Sequence, residues 1–225
     1  MSSDVTSSEI PGTRWRRRKE ARPGEILEAA LSCFAERGFA ATKLDDVANR
    51  AGVTKGTVYL YFPNKEELFK AVVRTEIVPN LERIESTVAR ENLSATEALA
   101  SVIRFFGERF HKSRFAPLPK LVISESGNFP ELARFYVDEV VGRGFSLIGG
   151  IVRRGIASGE FREADVESVV YCVIAPVIFA TLYRHSIEPH APGRPIPEDL
   201  IETHISLILG GIRRVSVTEG TEDEQ

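Results

Sequence analysis

Apolar residues recur at spacings of three and four along almost the whole chain, and no stretch alternates apolar and polar residues with period two. That pattern gives each segment one apolar stripe on a helix and denies a strand its buried face, so the fold class is all-α. The first strong stripe is Ile26, Leu27, Ala30, Leu31, Phe34 and Ala35, opened by Pro23 and stopped by Gly38. Leu44, Val47, Ala48 and Ala51 follow behind the capping-box-like Thr42-Lys43-Leu44-Asp45, and Gly52 ends that helix. Thr54 caps a third helix to about Phe62. Pro63 breaks the chain, and Asn64 with Glu66-Glu67 opens a long fourth helix, about 65–90, with a kink at Pro79. Further helices are expected over about 95–112, 117–126, 131–157, 165–185 and 198–214, about nine in all. Glu188–Pro197 holds four prolines and reads as a loop.

Charge divides this helical chain. Residues 11–65 carry eleven Lys/Arg against six Asp/Glu, whereas residues 66–225 carry 18 against 24. A basic head on an acidic body implies that the head alone meets a polyanion. With 43% apolar and 27% charged residues the chain is an ordinary globular one, not a disordered or fibrous one. Its two cysteines, Cys33 and Cys172, cannot build a disulfide framework and are read as buried, inert thiols. The first 20 residues hold no apolar signal core, and the longest apolar run, Val169–Tyr183, is interrupted by Pro176 and too short to span a bilayer. It is read as a helix buried on both sides, in a protein of the reducing cytoplasm with no membrane partner.

Residues 44–61 have the layout helix, tight turn, helix, whose second helix enters a DNA major groove. Ala48 lets the two helices approach, Gly52 supplies the turn, and Val58 packs inward. Thr54, Lys55, Thr57, Tyr59 and Tyr61 then face outward, a set of hydroxyls and an ammonium suited to phosphates and base edges. Lys65 stands in the first turn of the next helix, where a lysine makes sense if a phosphate lies beside it.

The stretch ILEAALSCFAERGFAATKLDDVANRAGVTKGTVYLYFPNKEELF, within Pro23–Phe69, resembles the amino-terminal domain of the tetracycline-repressor (TetR/AcrR) family. The pieces F-x-x-x-G-F, T-x-x-D-V-A-x-x-A-G-V, G-T-V-Y-x-Y-F and N-K-E-x-L come in that family's order and spacing. The resemblance implies a homodimeric transcription factor, most often a repressor, bound to a palindromic double-stranded operator and released by a small hydrophobic or amphipathic effector. An activator, or a regulator working through a protein partner with weak DNA binding, is the alternative. On this reading Thr42 and Lys43 meet the DNA backbone or nearby bases, and Thr54 caps the recognition helix. Lys55, Thr57 and Tyr59 reach bases or phosphates, Gly56 permits close approach, and Tyr61 and Lys65 clamp phosphates. Arg16, Arg17 and Arg18 lie ahead and could enter a minor groove, as arms of some members do.

The same resemblance divides the chain into a basic arm (1–22), a helix-turn-helix domain (23–69), a ligand-binding and dimerisation domain (70–217) and an acidic tail (218–225). It places a four-helix dimer interface on the last two helices, here Val173, Val177, Leu182, Ile201, Ile205, Ile208, Leu209, Gly210, Gly211 and Ile212. It places an effector pocket within helices four to eight, with Phe105, Phe106, Arg109, Phe110, Leu121, Glu125, Phe129, Tyr136, Tyr171 and Phe179 as candidate lining.

Enzyme chemistry finds no support in the sequence, and no cofactor is expected. Gly144-Phe145-Ser146-Leu147-Ile148 fails the nucleophile-elbow pattern at Ile148, and Gly142-Arg143-Gly144 opens a dinucleotide pattern that fails at Leu147. His111, His185, His190 and His204 have no metal-ligand spacing.

Overall fold

A computed structural model describes residues 11–90, 92–112 and 116–214, with side chains for 23–90, 92–108 and 116–214. Among the described residues the regular structure is helical: α1 (Pro11–Ala41), α2 (Leu44–Arg50), α3 (Lys55–Tyr61), α4 (Lys65–Glu76), α5 (Val78–Arg90), α6 (Ala95–Lys112), α7 (Pro117–Glu125), α8 (Pro130–Tyr136), α9 (Gly142–Ser158), α10 (Val166–Ser186) and α11 (Leu200–Ile212). One isolated β-bridge joins Phe161 to Arg213. The chain divides after Thr75 into two compact units.

The first unit is built on rings. Phe34, Phe39 and Phe69 are fully buried, their centroids 5.6–5.7 Å apart. Each such pair adds roughly 0.5–1.5 kcal/mol beyond the area it buries. Val47 and Val58 close the core beneath α2 and α3. Gly38 breaks the end of α1 with φ 78° and ψ 172°, a conformation open to glycine. Gly52, at φ 65°, turns the chain between α2 and α3. Thr54 Oγ1 accepts from the Thr57 N–H at 3.2 Å, and Asn64 Oδ1 accepts from the Glu67 N–H at 2.8 Å. Both caps stand where the sequence places them.

Three features of the helices differ from expectation. Helix α1 does not start at Pro23 but runs through it from Pro11; a proline costs an interior helix one N–H bond, which flanking turns can absorb. The expected 65–90 helix is two helices, because Pro79 falls in the first turn of α5, where its missing N–H is tolerated. The expected 131–157 helix contains a π-helical turn, Val137–Val141, between α8 and α9. One extra residue in a turn leaves too small a mark on apolar periodicity to be read from sequence.

In the second unit α6 lies against α9, α10 and α11, and α10 also packs on α7 and α9. Asp165 caps α10 by accepting from the Ser168 N–H at 2.8 Å, and Gly159 ends α9 at φ 79°. Glu160 spans the N-terminus of α6, its two oxygens each 3.0 Å from the N–H of Ala95 and of Thr96. Those hydrogen bonds act against burial and hold its carboxyl below the usual range.

By length and composition α10 is apolar enough to cross a membrane, yet only a third of its most apolar window is buried. Within one chain α10 is covered on one side, and the other side, which the sequence reading gives to a dimer partner, is open. Val173, Val177, Ile201, Ile205, Leu209 and Ile212 belong to the chain's own core, while Tyr171, Cys172, Phe179, Leu207, Gly210 and Gly211 are exposed. Leu182 and Ile208 are half-buried. A helix apolar all round carries no periodic mark of which side its own chain covers. In the single chain Cys172 is exposed on that open side. Cys33 is buried, and burial pushes its thiol pKa up.

Candidate functional site

Helix α3 is seven residues long and buries one side chain, Val58. Around that anchor Lys55, Gly56, Tyr59 and Leu60 are exposed, and Thr57 and Tyr61 half-buried. Tyr59 is exposed, Leu60 is 75% exposed, and the Lys55 ammonium lies 5.9 Å from the Tyr59 ring centroid. The Thr54 and Thr57 hydroxyls are 2.9 Å apart. Lys55 also pairs with Asp45 of α2 at 2.8 Å, and that hydrogen bond holds its ammonium pKa up. A methyl group added at Gly56 would meet only Thr54 Oγ1, at 3.9 Å, so the backbone there is open to close approach. Bidentate Arg50–Glu36 hydrogen bonds of 2.6 and 2.7 Å, with Arg37–Asp46 at 3.1 Å, tie α1 to α2 and fix the platform from which α3 projects.

In the second unit an apolar cavity of about 390 Å³ lies among α5, α6, α7, α8–α9 and α10. Val102, Ile103, Ile148, Val173 and Val177 form its buried side. Ile123 and Val137, both about half exposed, lie where it opens to solvent. Its lining includes Tyr136 and three residues of the π-helical turn, Val137, Val140 and Val141. A mostly apolar concavity with few polar groups suits a small hydrophobic ligand.

Residues 26–72 match the family model described as bacterial regulatory proteins, tetR family, and residues 91–205 match the tetracyclin repressor-like C-terminal domain. The chain belongs to the TetR family. It is 32% identical over 148 residues to the fatty acid metabolism regulator protein of Bacillus subtilis, covering 64% of this chain and 74% of the relative. It is 27% identical over 213 residues to the transcriptional repressor KstR2 of Mycobacterium tuberculosis, covering 88% and 96%. The solved structure of Bacillus subtilis FadR in complex with stearoyl-CoA superposes with a TM-score of 0.70 at 26% identity, covering 84% of this chain and 99% of that one. As a TetR-family member the chain is a ligand-responsive, DNA-binding transcriptional regulator.

Against this TetR-family frame, the sequence-derived residues fare unevenly. Lys43, Thr54, Lys55, Gly56, Thr57, Tyr59 and Tyr61 lie on α3 or at the ends of α2 and α3, all exposed or half-exposed. Thr42 is 1% exposed and its hydroxyl donates to the carbonyls of Gly38 (2.7 Å) and Cys33 (3.2 Å), so its side chain is structural. Nor does Thr42 cap α2. Lys43 is the cap residue, its N–H donating to Asp46 Oδ2 at 3.3 Å. Lys65 donates to the Phe39 and Ala40 carbonyls at 2.7 and 3.0 Å, closing the end of α1, with its ammonium 4.5 Å from the Phe39 ring centroid. The side chains of Arg16, Arg17 and Arg18 lie outside the described residues. Leu60 was missed, because an apolar residue between two tyrosines reads as core.

Of the candidate lining residues, Phe106 and Tyr136 do face the cavity. Phe105, Leu121, Glu125 and Phe129 are not among its lining, and Phe105 packs edge-on against Phe106 instead. Tyr171 and Phe179 sit on the outer face of α10, and Tyr171 stacks edge-on against the lining residue Phe145 from behind. Arg109 and Phe110 lie outside the described side chains, as does His111. Ile103, Val140 and Ile148 also line the cavity and were missed because the choice favoured aromatic residues over equally apolar aliphatic ones; Phe145 lines it too, and nothing in its spacing marked it out. His204 is buried with Nε2 2.9 Å from the Val173 carbonyl, a structural role. Among the described residues no cluster of three or more His, Cys, Asp or Glu could hold a metal.

Proposed function

We propose that this chain is a cytoplasmic homodimeric repressor that sets α3 of each copy into the major groove of a palindromic operator and leaves it when an effector fills the cavity. The observation that carries the DNA reading is α3 itself. A seven-residue helix pinned by Val58 leaves Lys55, Tyr59 and Leu60 exposed and Thr57 and Tyr61 half-exposed, open to a partner. Thr57 and Tyr59 suit base edges, Lys43, Lys55 and Tyr61 suit phosphates, and Lys65 adds its charge while bracing α1. The exposed Leu60 suits a thymine methyl.

The dimer reading rests on the outer faces of α10 and α11, where Phe179 is 62% and Leu207 70% exposed beside the bare Gly210-Gly211 pair. Contiguous apolar surface of this kind marks an interface. The effector is a hydrophobic or amphipathic molecule whose apolar part enters the cavity. The stearoyl-CoA held by the Bacillus subtilis relative is one such molecule. An effector shifts the equilibrium only by binding the DNA-incompetent state more tightly.

Selection from random duplexes, followed by anisotropy at several salt concentrations, tests the proposal. A palindrome bound with steep salt dependence is expected. A folded dimer that enriches no site, after mass spectrometry has shown it free of bound ligand, overturns it.

A further inference from the structure

The cavity contains one polar group with nothing to do. Among the described residues its lining carries two polar side chains, Ser126 and Tyr136, and no charge. The Ser126 hydroxyl already donates to the Ile123 carbonyl at 3.0 Å. Tyr136 is 7% exposed, and its hydroxyl has no hydrogen-bond partner among the described residues. A phenol normally finds a partner in so apolar a setting, and because this hydroxyl is not among the fully buried unpartnered atoms it stays open to a ligand in the cavity. Burial also pushes its pKa up, so the group stays a neutral donor.

We propose that Tyr136 is the recognition group for an uncharged carbonyl oxygen, that of a ketone, ester or thioester, on an otherwise apolar ligand. The proposal rests on the cavity being the effector site. A carboxylate is disfavoured because no cation among the described residues lines the cavity to offset its desolvation. A ligand hydroxyl is also the poorer match. It brings a donor of its own, and satisfying that donor on the tyrosine oxygen leaves the phenolic hydrogen still to be placed. A carbonyl accepts that hydrogen and leaves only a spare lone pair, the cheaper deficit.

The test is isothermal titration of the full chain with decan-2-one and with sodium decanoate at neutral pH. It uses wild type, Tyr136→Phe and Gly144→Phe. Gly144 lines the cavity with nothing within 4 Å of an added methyl, so a phenylalanine there fills the space rather than the core. The ketone should bind wild type at least roughly ten-fold more tightly than the carboxylate. Tyr136→Phe should lose about three- to ten-fold in ketone affinity, with a melting temperature unchanged or raised because an unpaired hydroxyl has gone. Equal ketone affinity in Tyr136→Phe, absence of ketone binding to wild type, or carboxylate binding as tight as the ketone's overturns the inference. Gly144→Phe should weaken every probe. If it does so while Tyr136→Phe changes nothing, the cavity reading stands and the carbonyl assignment falls. If it leaves all binding intact, the cavity reading itself is wrong.

Discussion

Helices α3 and α10 both leave aromatic side chains in solvent, and what surrounds those rings separates the two surfaces. On α3 the exposed Tyr59 stands among the Thr54 and Thr57 hydroxyls and the Lys55 ammonium. On α10 the exposed Tyr171 and Phe179 stand among Cys172 and Ala175, with no charge on the helix between Glu167 and Arg184. A polar, cationic rim lets a ring approach a polyanion without stripping charges bare. An apolar rim is satisfied only by another apolar surface. The same residue type thus serves two partners, and the neighbours decide which.

The comparison breaks most easily at α10. Phe179→Glu should weaken self-association at least about a hundred-fold, since a charge would be buried without a partner. Sedimentation at concentrations where wild type is dimeric reads the change. A dimer that tolerates the glutamate places the interface elsewhere.

Glycine sharpens the contrast. A methyl group at Gly155 would run into the Phe161 ring, whereas one at Gly56 makes only an ordinary contact with Thr54 Oγ1. Gly155→Ala should destabilise the body by about 1–3 kcal/mol through overpacking, seen as a lower melting temperature. Gly56→Ala should leave stability within about 0.5 kcal/mol and instead lower operator affinity. If both changes act on stability alone, α3 is not a docking surface.

Tyr59→Ala should relax one operator position, losing about 1–3 kcal/mol of discrimination there, while Lys55→Ala should weaken all sequences alike and reduce the salt slope by about one. Unchanged base preference in the first would return Tyr59 to a packing role.

The smallest effect is in the acid range. Burial, followed by the charges of Lys120 on α7 and Arg184 on α10, pushes His185 below its ordinary value of 6.5, with Glu188 opposing. Lys120 donates to the His185 carbonyl at 2.8 Å, and the Arg184 Nε, His185 Nε2 and Glu188 Oε2 atoms are buried without a hydrogen-bond partner. The unfolded chain therefore binds a proton more readily than the folded one. Stability from this group is full above 6.5 and is lost as pH falls through the lowered folded value. Denaturant titrations at neutral and mildly acidic pH should show this loss in wild type and less of it in His185→Asn. An equal acid loss in the variant would place the sensitivity elsewhere.

How much was legible follows from the range of the forces involved. Helix class, the caps at Thr54, Asn64 and Asp165, the turn at Gly52 and the inward Val58 are local, set by residues within a turn or two of one another. Those were readable, and so was which face of α3 is left exposed, because the single inward residue Val58 fixes the helix's orientation. Thr42 and Lys65 were misjudged or half-judged because their partners, the Cys33 and Gly38 carbonyls and the Phe39 and Ala40 carbonyls, are backbone atoms brought near by the fold. Periodicity marks side chains, not carbonyls left open at a helix end.

By itself the sequence determined an all-α chain with a basic three-helix head and a helical body, because apolar spacing and capping are short-range and additive. Tertiary structure alone decided which side of α10 the chain keeps for itself and which it offers. It also decided which apolar residues leave a cavity between them, and that Tyr136 reaches that cavity with its hydroxyl unpartnered. The physical reason is that burial is a property of packed neighbours. An apolar side chain contributes the same letter to the sequence whether it fills a core, lines a void or waits for a second molecule.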